Sequence, residues 1–69
     1  MLFEELILKM RHKKAITQAE LSKIMGVNQS LISFYERGEK KPGMKTLKKF
    51  VDKANKEFKM KITYSDIEI

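Results

Sequence analysis

The sequence contains no cysteine and no tryptophan, and among its 69 residues it has one proline, one histidine and three glycines. Without cysteine the chain can form neither a disulfide framework nor a cysteine-based zinc site. No apolar run approaches the length that crosses a membrane, and Met1-Leu2-Phe3 is followed at once by two acids, unlike a signal peptide. We therefore expect an intracellular, cytoplasmic protein with no membrane partner.

The usual signatures of an enzyme active site are missing as well. His12 lies in a basic run and has no carboxylate or hydroxyl partner at helical spacing, which is typical of a solvated helix residue. The sequence has no glycine-rich phosphate loop and no cluster of metal ligands. We expect no enzyme activity, no cofactor and no metal.

The composition is that of one small, folded, basic domain. A hydrophobic fraction of 42% is enough for a core, and a charged fraction of 35% is normal for a soluble helical domain. Fifteen lysines and arginines against nine acids give a net charge of +6. A basic balance favours a polyanionic partner, because neutralising phosphates releases condensed counterions, although lysines also keep proteins in solution.

Two short helices joined by a glycine are predicted near the middle of the chain. Thr17 and Asn28 are good N-cap residues, and Thr17 has the acid of a capping box three residues later. The predicted helices run from about Gln18 to Met25 and from about Gln29 to Arg37. Gly26 lets the chain reverse between them at positive φ, which gives a helix-turn-helix arrangement.

Apolar residues at helical spacing predict a further helix on each side, from about Leu2 to Lys14 and from about Met44 to Glu57. Acids lie near the start of the first helix and bases near its end, as the helix dipole favours. The predicted core faces consist of Leu2, Phe3, Leu6, Ile7 and Met10 in the first helix and of Met44, Leu47, Phe50, Val51 and Ala54 in the last.

The tail, residues 58–69, changes period. Four apolar residues alternate there with polar ones at strand spacing, namely Phe58, Met60, Ile62 and Tyr64. A lone strand in a helical domain leaves its backbone groups unpaired, so we expect it to pair with a second subunit or with another protein. Ile67 and Ile69 fall out of phase with the first four, which suggests a bend near Ser65-Asp66.

The chain resembles the phage-repressor and Cro type of helix-turn-helix domain, often called the XRE family. The resemblance covers roughly residues 1–56, and its elements occur in order without gaps: Thr17-Gln18-Ala19-Glu20-Leu21-Ser22, Gly26, Ser30-Leu31-Ile32-Ser33, Tyr35-Glu36-Arg37-Gly38 and Pro42. It implies an all-α, compact, lambda-repressor-like bundle of four to five helices in residues 1–57. The tail pattern adds a short C-terminal β-strand in residues 58–69.

The resemblance also implies a function. Such proteins are transcriptional regulators, commonly repressors, that bind double-stranded DNA as homodimers on palindromic operators, and a nucleoid-associated location follows. The second helix of the motif enters the major groove, where the expected base-reading residues are Asn28, Gln29, Ser30, Ser33 and Phe34. The expected phosphate contacts are Gln18, Lys40, Lys41 and Lys45.

Four further positions bear on the resemblance. Arg11 and Glu36 occupy the places where the family has a partly buried ion pair that clamps the recognition helix. Phe34 departs from the polar residue usual there, and either packs against a neighbour or contacts a thymine methyl group. Ala15 stands where glycine is common, so the first helix is expected to end differently.

Two alternatives stay open at this point. The first is an antitoxin that neutralises a partner toxin through its tail and represses its own operon through the motif. The second is RNA binding, which is the weaker reading because a basic helix is not specific by itself.

Overall fold

The computed structural model describes residues 1–68 and contains four α-helices. These are α1 (Phe3–Lys14), α2 (Gln18–Met25), α3 (Gln29–Glu36) and α4 (Met44–Glu57), and a short 3₁₀ helix follows at Tyr64–Asp66. The predicted all-α bundle is confirmed, and each helix lies within one residue of its predicted limits. Within the described part of the chain, no helix combines the length and the apolar character needed to span a membrane.

Side chains from within the motif fix the starts of α2 and α3. The Thr17 hydroxyl accepts a hydrogen bond from the Glu20 backbone at 3.1 Å, and the Glu20 carboxylate accepts one from the Thr17 backbone at 2.9 Å. The Asn28 side chain accepts from the Leu31 backbone at 2.9 Å. Between the helices Gly26 has φ 70°, as the reversal of the chain requires. The predicted caps therefore define the motif.

The core lies between the apolar faces of all four helices, and α2 contributes Leu21 and Met25 to it. At its centre the rings of Phe3, Tyr35 and Phe50 meet edge to face, with centroids 5.0, 5.2 and 6.0 Å apart. Two residues expected there are not part of it, since Leu2 is 42% and Met44 64% exposed. Leu2 is the N-cap of α1 and Met44 is the first residue of α4. Helical side chains lean toward the N-terminus, so a side chain at a helix start points beyond the packed turns.

Ala15 ends α1 in the left-handed conformation, with φ 52° and ψ 49°. The backbone N–H groups of Ala15 and Ile16 donate back to His12 and Arg11, at 3.3 and 3.0 Å. The expectation that alanine would change the end of this helix is wrong, because the ending is the one glycine would give. A left-handed alanine costs about 1–2 kcal/mol, which the contacts on either side offset.

The predicted C-terminal strand is wrong, since residues 58–68 form no strand. Their single β-type pairing is an isolated parallel bridge between Leu2 and Glu68. Phe58, Met60 and Ile67 are buried in the core of the same chain, and Lys59 has φ 56°, which interrupts an extended run. Ile69 lies outside the described residues.

Asn55 on α4 supplies the physical reason for this difference. Its side-chain amide donates to the Ile62 carbonyl at 2.9 Å, and its side-chain oxygen accepts from the Ile62 backbone N–H at 3.0 Å. This pair of bonds replaces the pair that a neighbouring strand would provide. At the predicted bend the 3₁₀ helix begins, and Thr63 donates its N–H to the Asp66 carboxylate at 2.8 Å. The tail is thus held by its own chain.

Candidate nucleic-acid interface

A depression of about 340 Å³ lies on the outer side of the motif. Six residues line it: Gln18, Gln29, Ser30, Ser33, Phe34 and Arg37. The first is the residue at which α2 begins, and the others form one stripe along and just beyond α3. Five of the six are residues for which DNA contacts were predicted, so the structure brings these together on one surface. No group of three or more potential metal ligands occurs within residues 1–68.

The opposite face of α3 holds the helix in place. Ile32 is fully buried and Tyr35 is 4% exposed, and both belong to the core. Gln29 and Ser30 face solvent, and Ser33 is half-buried beside them. The amide of Gln29 has the donor and acceptor pair that matches adenine in the major groove, and the two hydroxyls can donate or accept at either a base edge or a phosphate.

Asn28 caps α3 and also lies on the exposed surface next to the depression. It is exposed and immediately precedes α3, but its side-chain oxygen already accepts the capping hydrogen bond from Leu31. Its NH₂ group makes no such bond and can donate to acceptor groups such as purine N7, guanine O6 or phosphate oxygens.

The structure shows the first of the two predicted alternatives for Phe34, and contact with a thymine methyl group stays a prediction. The Phe34 ring packs against a neighbour, because the Arg37 guanidinium lies over it at 5.2 Å from the centroid. The side chain nevertheless stays 41% exposed. An apolar ring edge therefore faces the depression, next to polar groups that can make hydrogen bonds.

Arg37 is the lining residue that was not predicted as a DNA contact. Its Nε donates to the Glu39 carboxylate at 2.5 Å, and its Nη1 donates to the Ser33 hydroxyl. The bond to Glu39 raises the pKa of Arg37 further above its ordinary value. The sequence could have assigned Arg37 to this surface. Residues three and four apart share a helix face, and Arg37 follows Phe34 and Ser33 at those spacings.

One guanidinium ties α3 to the rest of the bundle. Arg11 Nη1 lies 2.7 and 2.8 Å from the two carboxylate oxygens of Glu36, and its Nε donates to the Ile16 carbonyl at 3.2 Å. The Glu36 side chain is only 9% exposed. The pair therefore joins α1, the connection to α2 and the end of α3, and it fixes the orientation in which α3 presents its outer stripe.

The three lysines predicted to contact phosphates lie outside the depression. Lys40 and Lys41 line a separate surface, which also includes Glu4 and Pro42. Lys45 lies at the start of the outer face of α4, whose basic residues are Lys45, Lys48, Lys49, Lys53 and Lys56. All three predicted lysines are exposed. The structure therefore separates the depression, which has few charges, from the surfaces that carry these lysines.

Comparison with known proteins identifies a protein family. A protein-family model described as helix-turn-helix matches residues 7–59, a segment that includes most of α1 and all of α2, α3 and α4. Searches among curated proteins and among solved structures find no match.

Proposed function

Because the chain belongs to the helix-turn-helix family and is a DNA-binding transcription regulator of the XRE kind, we propose that it is a repressor that inserts α3 into the major groove. The observation that supports this is the single depression that joins the start of α2 to the outer stripe of α3. A helix start suits a phosphate, and an exposed polar stripe suits base edges.

Within this surface the residues have different tasks. Gln29 pairs with adenine, and Ser30 and Ser33 contact base edges or phosphates near it. Phe34 places its exposed ring against a thymine methyl group. Asn28 donates through its NH₂ group. Together these contacts would select one sequence.

The proposed phosphate contacts lie around this surface. Gln18 binds a phosphate at the start of α2, where backbone N–H groups also point outward. Lys40, Lys41 and Lys45 contact the sugar-phosphate backbone beyond the groove. These contacts position the protein and carry no sequence information by themselves.

We further propose that two copies bind a palindromic operator, with half-sites about 34–36 Å apart. Residues 58–68 offer no unpaired strand, so the two copies would not associate by strand pairing through that segment. The antitoxin alternative relied on the same predicted strand as its docking element. With Phe58, Met60 and Ile67 buried in their own chain, no observation favours that alternative.

Selection of binding sites from random duplex DNA at near-physiological salt tests the proposal. We expect enrichment of an inverted repeat, with Gln29→Ala losing discrimination at one position per half-site by about 1–3 kcal/mol. Lys53→Gln, on the outer face of α4, is the matched control and should leave the selected sequence unchanged. A folded protein that enriches no sequence would contradict specific reading, and preferential retention of duplex RNA in competition would point to the RNA alternative.

A further inference from the structure

We propose that Glu39 is an internal competitor for DNA: it pairs with Arg37 in the free protein, and a DNA phosphate takes its place when α3 enters the groove. The inference rests on the proposed function and adds to it a cationic contact and the acid that restrains it. Neither residue was predicted from the sequence as part of the site.

The distribution of charge among the residues that line the depression is the first support for this proposal. Of the six residues that line the depression, five are uncharged, and Arg37 is the one cation among them. The carboxylate of Glu39 lies 2.5 Å from its Nε, and the two side chains are 50% and 53% exposed. A polyanion that approaches the depression therefore meets a guanidinium already bound to an acid.

The way Arg37 is held is the second reason. The Ser33 hydroxyl accepts from Nη1, and the ring of Phe34 lies against the guanidinium. Both partners belong to α3 and are neutral, so they can keep the side chain in place while its charged partner changes. Only the bond to Glu39 has to break. A guanidinium also matches a phosphate, since two of its N–H groups can bond two oxygens at once.

The position of Arg37 along α3 indicates whether it contacts a phosphate or a base. Recognition helices contact base edges mainly through their N-terminal residues. Arg37 directly follows the last residue of α3, Glu36, and so lies where the helix leaves the groove and the backbone forms its wall. The partner of Arg37 is therefore a phosphate, and its contribution should be the same for every sequence.

Exposed ion pairs of this kind stabilise folded proteins little. Breaking the Arg37–Glu39 pair is thus a small penalty on binding that does not threaten the fold. Its effect is to weaken binding to every DNA sequence by the same factor. Glu39 thereby lowers overall affinity through Arg37 without contacting a base and without changing the preference between sequences.

The test compares dissociation constants of four proteins, measured by fluorescence anisotropy on the selected duplex and on an unrelated duplex, from about 50 to about 200 mM salt. Glu39→Gln should bind both duplexes up to about fivefold more tightly, the equivalent of one exposed ion pair. Arg37→Gln should bind both more weakly and reduce the salt slope by about 0.9. In the double variant the gain from Glu39→Gln should disappear.

Glu57→Gln is the matched control. Glu57 pairs with Lys53 at 2.6 Å and the two side chains are 41% and 37% exposed, but the pair lies on α4. This variant makes the same change in net charge and should bind DNA less tightly than Glu39→Gln. Thermal melts of all variants should match the parent, since each pair is exposed.

Three results would overturn the inference. Equal affinities for Glu39→Gln and Glu57→Gln would mean that only net charge matters. A gain from Glu39→Gln that persists without Arg37 would mean that the two residues act separately. A changed sequence preference in Arg37→Gln would make Arg37 a base reader. Failure of the unaltered protein to bind any duplex is a separate result, and it would refute the proposed function itself.

Discussion

The helix-turn-helix segment and the tail are both short stretches with regularly spaced apolar residues, but their structures are determined in different ways. In the motif, the hydrogen bonds that fix the helix starts join residues three apart. In the tail, Ile62 is bonded by Asn55, seven residues earlier, and the Asp66 carbonyl accepts from the Met1 ammonium group at 2.5 Å. The motif is specified locally, whereas the tail takes its shape from the elements beneath it.

The largest expected effect concerns the ion pair that joins the motif to α1. Glu36→Ala leaves the Arg11 guanidinium, 25% exposed, without its partner, and should lower the free energy of unfolding by about 3 kcal/mol. Replacing both residues, with Arg11→Met, should cost less, because no buried charge is left unpaired. Urea denaturation measures both values. Equal stability of the two variants would show that the ion pair is not a clamp and that the motif is more independent than we infer.

The next effect tests the tail. Asn55→Ala removes both bonds to Ile62 and should cost about 2 kcal/mol, because two partly buried backbone groups lose their partner. Asn55→Asp keeps the acceptor and loses the donor, so its stability should be intermediate. Hydrogen exchange of the Ile62 amide should accelerate in the alanine variant before that of the α2 and α3 amides. Simultaneous acceleration in the tail and the motif would remove the distinction between them.

A smaller effect of opposite sign is expected at the junction of α1 and the motif. Ala15→Gly should stabilise the protein by about 1 kcal/mol, because glycine adopts the left-handed conformation without steric penalty. The control is Ala19→Gly inside α2, which should destabilise by about the same amount. Thermal melts of both variants provide the comparison, and destabilisation by Ala15→Gly would show that the alanine methyl group matters more than its backbone.

The smallest effect is a pH dependence of the α2 start. Hydrogen bonds from the backbone and the hydroxyl of Thr17 hold the pKa of Glu20 below its ordinary value of 4.5. A lowered pKa in the folded protein means that this contribution is present above 4.5 and is lost as the pH falls through the lower folded value. Melts at decreasing pH should show a shallower decline for Glu20→Gln than for the parent. Identical declines would show that the capping carboxylate does not contribute.

Sequence reasoning succeeded where local rules suffice. The limits of all four helices follow from caps and apolar spacing, and the Arg11–Glu36 pair was expected from the family resemblance. The exposure of Met44 was missed because a periodic pattern does not show where packing begins along a helix. The tail was missed because its spacing fits a strand, while a side chain from another element occupies its backbone groups.

The candidate site was predicted in part for the same reasons. The exposed stripe of α3 follows from the spacing of the apolar residues on its other face. The family resemblance implies that this stripe enters the major groove. The Arg37–Glu39 pair depends on the conformation of the loop after α3, which no periodicity reveals. The individual base and phosphate contacts stay predictions.

The bonds between Asn55 and Ile62 also bear on aggregation. Residues 58–64 combine aromatic and β-branched side chains and contain neither proline nor glycine, a composition that favours stacking into cross-β assemblies. In the folded chain the backbone groups of Ile62 are occupied and the side chains of Phe58 and Met60 lie in the core, while Lys59 and Lys61 add charges that oppose stacking. Release of the tail would therefore expose an aggregation-prone segment. The side chain of Asn55 thus contributes to the solubility of the protein.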